Sequence, residues 1–198
     1  MRYTCTKTLL SILCLLPLTG CTVHSKPGAN GDKDVSIASP LGGLSVKTDS
    51  AAVQKKLGLP LYPGATPEQK KGKDDSAADV NMDFGAFHLR VLAMGFTSTD
   101  SPDKVRDYYR KALSQYSDVI ECRNKQPVGK PERTGLGLSC ADDNRVHTHE
   151  TGSNSSSETE LKAGSASRQH IVSFEPADGG TRFGLVSLEL PRDTDRGA

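Results

Sequence analysis

One helical stripe set among runs of alternating residues constrains this chain most. Val105, Tyr108, Tyr109, Ala112, Leu113 and Tyr116 follow one another at spacings of three, one, three, one and three. Those spacings line one face of a helix over residues 102–116. Asp100 or Ser101 can cap it, Pro102 suits the first helical position, and Asp103 complements the positive end of the helix dipole. Lys104, Arg106, Asp107, Arg110 and Lys111 fall mostly outside the stripe, so the apolar face packs inward, on a sheet. The three tyrosines coincide with that face. Core packing, rather than stacking on a ligand, is their expected role.

The strands come from period-two runs and turn residues. Val35 and Ile37 alternate with serines, as Leu44 and Val46 do with Ser45 and Lys47, and Pro40-Leu41-Gly42-Gly43 lies between them, which predicts a hairpin over 35–48. Leu59-Pro60-Leu61-Tyr62-Pro63 excludes a helix interior and a central strand, and reads as an extended entry that pins Leu61 and Tyr62 on the core. Val80–Phe84 and Phe87–Phe96 form an antiparallel pair across Gly85-Ala86. Phe87, Leu89, Val91 and Ala93 lie on one face of the second strand, and His88, Arg90, Leu92 and Met94 on the other. Further strands are expected at Val119–Arg123, Leu136–Ala141, Gln169–Phe174 and Arg182–Leu190, the last two joined through Asp178-Gly179. Residues 148–167, rich in Ser, Thr, Gly and Glu, read as a mobile excursion. The expected fold is α+β: two layers, a mostly antiparallel sheet covered on one face by the single main helix 102–116, with an N-terminal β-hairpin. The domain spans 57–191, followed by a tail at 192–198.

The first twenty residues read as a leader. Arg2 and Lys7 precede an apolar run from Leu9 to Leu18, too short to span a bilayer as a helix, which needs about 20 apolar residues. The run closes on Leu18-Thr19-Gly20-Cys21, which resembles the lipobox of bacterial lipoproteins. The resemblance implies cleavage before Cys21 by signal peptidase II and lipidation, palmitate included, of the Cys21 thiol. Thr22 rather than Asp after the cysteine favours the outer membrane, facing the periplasm, in a cell that has one. Polar residues 21–34 then read as a flexible tether. Tyr62-Pro63-Gly64-Ala65, Ser101-Pro102-Asp103-Lys104-Val105 and the later strands resemble uncharacterised bacterial envelope lipoproteins over residues 57–191. That likeness implies a fold and a location and brings no reaction with it.

With the leader gone, Cys5 and Cys14 go too, and lipid takes Cys21. Cys122 and Cys140 remain, an even pair in an exported protein, expected as a structural disulfide that adds about 3 kcal/mol in the chain-entropy model. Losing Arg2 and Lys7 turns the net charge of +1 into −1, and no basic block offers a footprint for nucleic acid.

Chemistry is sparse. His147-Thr148-His149, if extended, points both imidazoles to one side and could bind zinc or copper, but supplies no third and fourth ligand. His88 and His170 are candidate bases of a cryptic hydrolase, although there is no Gly-x-Ser-x-Gly elbow, no His-Glu-x-x-His and no phosphate-binding glycine loop. The expectation is a lipid-anchored envelope protein that is not an enzyme, uses no cofactor, meets the membrane through Cys21 and binds or scaffolds an envelope protein or polymer. A metal-handling protein using His147 and His149 is the alternative, ahead of the hydrolase.

Overall fold

Alternation does become strand here, and further along the chain than the apolar residues alone suggest. The computed structural model describes residues 21–27, 33–68, 77–141 and 159–191. Its elements are the strands β1 (Thr22–Pro27), β2 (Lys33–Ser39) and β3 (Gly42–Lys47), helix α1 (Ser50–Lys56), strands β4 (Thr66–Pro67), β5 (Ala77–Phe84) and β6 (Phe87–Ser98), and helix α2 (Pro102–Leu113). The strands β7 (Ile120–Arg123), β8 (Gln126–Pro127), β9 (Thr159–Ser165), β10 (Arg168–Ala177) and β11 (Gly180–Glu189) follow. All eleven strands join one sheet in the order β1-β2-β3-β5-β6-β11-β10-β9-β7-β8, with β4 also on β6 and every pairing antiparallel.

This corrects the expected architecture. Among the described residues the fold is largely β, with two short helices, not an α+β pair of layers under one main helix. Two polar stretches account for the difference. Residues 22–27, expected within the tether, pair with β2 as an edge strand, from Thr22↔Ala38 to Pro27↔Lys33. Residues 159–165, expected inside the excursion, form β9 between β7 and β10. There Leu161 and Ala163 are fully buried, and Lys162 buries its stem while its Nζ meets Glu160 at 3.2 Å. The first part of the excursion, 148–158, lies outside the described residues, as do 142–147, the leader and the tail 192–198. Helix α2 ends at Leu113, three residues short of Tyr116. The stretch Leu136–Ala141 makes isolated bridges, Arg133↔Ser139 and Gly137↔Ser165, rather than a strand.

The hairpin expected at 35–48 is β2–β3, and Gly42↔Phe84 to Lys47↔Asp79 bind it to β5, so it is part of the sheet. At Gly42 (φ 154°) a Cβ would collide with the carbonyl oxygen of Asp83 and with Cδ1 of Phe84, so only glycine lets the two strands approach.

Both helices pack on one face of the sheet. Along β6 the side buried under the helices is Leu92, Met94 and Phe96, the face that also carries His88 and Arg90, and Phe183, Leu185, Val172, Phe174 and Leu161 continue it across β11, β10 and β9. Val105, Tyr109 and Leu113 of α2 lie over the C-terminal strands, and Val53 and Leu57 of α1 join the same core. Burying each such side chain contributes roughly 1.5–3 kcal/mol. Helix α1 starts at Asp49, whose side chain accepts from Ala52 N at 3.0 Å, and Lys56 ties its end to the buried Asp79 at 2.7 Å.

The tyrosines strap the entry segment to the core. Tyr109 Oη accepts from Tyr62 N at 3.1 Å, Tyr108 Oη donates to Leu61 O at 3.1 Å, and Tyr62 Oη donates to Asp100 at 2.8 Å. Burial pushes the Tyr109 hydroxyl well above its ordinary acidity range, so it stays protonated. At the far edge of the sheet the disulfide Cys122–Cys140, with Cα atoms 5.6 Å apart, holds Leu138 and Cys140 on Ile120 and Cys122 as a second small core.

Candidate functional site

A cleft of about 620 Å³ opens between the end of α2 and the helix-side face of β6, β11, β10 and β9. Strand register builds its floor. Glu189↔Arg168 and Arg168↔Ser165 form one row across three strands, so residues far apart in sequence point the same way. Arg168 Nε and Glu189 Oε1 face each other at 3.6 Å. Ser165 Oγ accepts from Arg168 N at 3.2 Å and lies 3.4 Å from Ser167 Oγ. Leu136, Leu190 and Pro191 add apolar wall, and Gln115 closes the helix side.

The back of the cleft is an aromatic pair. His170 and Tyr116 stack with centroids 3.7 Å apart and planes 22° apart, and Tyr116 Oη donates to Gly58 O. His170 is buried, and its Nδ1 has no hydrogen-bond partner among the described residues. An unsatisfied buried nitrogen costs on the order of 1–3 kcal/mol and is a recognised mark of a functional position. Burial lowers the His170 pKa from its ordinary value, with Arg168 adding to the effect and Glu189 opposing it, so the ring is neutral at pH 7. Burial also raises the Tyr116 hydroxyl.

His88 lines the same cleft from β6 and turns its Nδ1 to Asp83. The structure thus brings together the two histidines proposed for a hydrolase. Their bonding differs from a relay, in which one imidazole lies between a nucleophile and a carboxylate. Among the described residues His88 has the carboxylate without a serine, and the Nδ1 of His170 has neither.

The other sequence candidates fall elsewhere. Cys122 and Cys140 form their disulfide at the sheet edge. Cys21, just before β1, is exposed and has no disulfide partner among the described residues. His147 and His149 lie outside the described residues, and among those that are described no group of three His, Cys, Asp or Glu side chains could hold a metal. Sequence reasoning missed Arg168, Ser165 and Gln115. It met Tyr116 only as a core residue and Glu189 only as a strand residue, because the row that joins them exists only once register is set. No family model, curated protein or solved structure matches this chain.

Proposed function

We propose that this protein is a lipid-anchored component of a bacterial cell envelope, held through Cys21, and that its domain binds an envelope protein or polymer in the cleft beside Tyr116. The reading takes the anchor from the leader and its Leu18-Thr19-Gly20-Cys21 end, and the exposed Cys21 thiol is compatible with it. The observation that carries the binding role is the cleft itself. It joins a neutral imidazole whose Nδ1 has no partner among the described residues, an Arg–Glu pair, serine hydroxyls and an apolar wall, a mixture suited to a polar ligand of little net charge. It has no hydrogen-bonded nucleophile and base among the described residues, which is why the role is written as binding rather than catalysis.

A photo-crosslinking residue in place of Gln115, at the cleft wall, tests the reading in intact cells. A discrete adduct that weakens when Arg168→Ala is added is the expected result. An adduct pattern identical to that of a probe at Asp178, in the β10–β11 turn, would remove the cleft from the account. Mass spectrometry of Cys21 tests the anchor separately.

A further inference from the structure

The register of the first five strands in the sheet leaves one end of the molecule with apolar side chains that the cleft does not use. Ser39 faces Gly42, Gly42 faces Phe84, and Phe84 faces Phe87. Cys21 stands one residue beyond the Thr22↔Ala38 pair, so it begins the same row. The β2–β3 turn at Pro40-Leu41 and the β5–β6 turn at Gly85-Ala86 therefore project from the end of the sheet that carries Cys21. Leu41 is 82% exposed, Phe84 42% and Phe87 41%.

Apolar residues continue behind these tips on the face away from the helices. Leu89, Met82, Leu44, Ile37 and Val23 form the row two residues in, and Val91, Val80, Val46 and Val35 the next. The inner row is the better covered: Val91 is 9% exposed, against 64% for Val23 in the outer one. Among the described residues at this end, Asp83 meets His88 and Arg168 meets Glu189. The other ends of the same strands carry Lys26, Lys33, Asp34 and Lys47.

We propose that this end of the sheet rests in the surface of a lipid bilayer, with Leu41, Phe84 and Phe87 among the acyl chains beside the anchor. The inference rests on the reading of Cys21 as the lipidated residue. The row itself chooses the occupant, since a lipidated Cys21 sets its acyl chains in line with Ser39, Gly42, Phe84 and Phe87. A second copy packed face to face would instead cover the flat inner rows and leave the turn tips free. The acyl chains on Cys21 suffice to hold the protein on the membrane, and apolar tips in the same row enter the bilayer beside them and set the orientation of the domain. The same docking sets the cleft near the membrane, because Leu190 and Pro191 lie one and two residues beyond the Glu189↔Arg90 pair, toward this end.

The test uses the full lipidated protein in vesicles of phosphatidylethanolamine and phosphatidylglycerol, with bimane on Ala86→Cys in the β5–β6 turn or on Asp178→Cys at the opposite end. Brominated acyl chains should quench most emission at position 86 and leave position 178 bright. Adding L41S, F84S and F87S together should restore emission at 86 while the protein stays vesicle-bound through its lipid. An acyl mass on Cys21 with equal quenching at both positions, or none at 86, overturns the docking and leaves the anchor standing. Absence of the acyl mass overturns the anchor and this proposal with it. Shielding at 86 that needs no bromine and reverses on protein dilution assigns the surface to a second copy, which also overturns it.

Discussion

Strands β10 and β2 alternate apolar and polar residues in the same way, yet their apolar side chains meet different fates. In β10, Val172 and Phe174 are buried beneath α2, with Phe183 and Leu185 of β11 beside them. In β2, Ile37 remains 36% exposed, and its neighbour Val23 in β1 is 64% exposed. The antiparallel ladder is continuous through both. What differs is the second layer, because both helices lie over the C-terminal strands and β5–β6, on one face only. Pattern alone therefore makes strand; cover decides where the stability lies and which surface remains free for another molecule.

Four tests bear on that contrast, in descending order of effect. Tyr109→Ala removes a fully buried ring that touches Tyr62, Tyr108, Phe174 and Phe183, together with the acceptor for Tyr62 N. It should cost about 3–5 kcal/mol in urea unfolding, against less than about 1 kcal/mol for Ile37→Ala. Equal losses would mean that the first strands are packed as tightly as the last. Replacing Cys122 and Cys140 by serine should cost about 2–4 kcal/mol, because the small core of Ile120 and Leu138 has little else to hold it. A loss near zero would show that the bridges to β9 suffice.

The third concerns acid. The His170 pKa is lowered in the folded chain, so the unfolded chain binds the proton more readily. Its contribution to stability is complete above the ordinary value near 6.5 and falls away as pH drops below it toward the folded value. His170→Gln should flatten the stability profile over that window, and an unchanged profile would place the acid sensitivity elsewhere. The smallest effect is Asp49→Ala, which removes the cap of α1 and should cost about 1 kcal/mol by thermal or urea unfolding.

The legible parts of the fold were those where local pattern and tertiary cover agree. Helix α2, the β5–β6 pair and the Asp178-Gly179 hairpin announce themselves through periodicity and turn residues. Two strands do not. β1 is an edge strand whose partner is β2 backbone, so its side chains need not be apolar. β9 has just Leu161 and Ala163 facing the core, and hides a lysine stem among its buried residues. Helix α1 is too short for a stripe, and Asp49 as a cap was its one readable sign. Of the cleft, His88 and His170 stood out by residue type, whereas Arg168, Glu189 and Ser165 meet through the register of three strands.

Hydrogen exchange of the folded protein in water, without lipid, tests the uneven cover most directly. Amides of β6, β10 and β11 should exchange only through global unfolding, while those of β1 and β2 exchange faster through local opening. Protection in β1 and β2 equal to that in β10 and β11 would contradict the account.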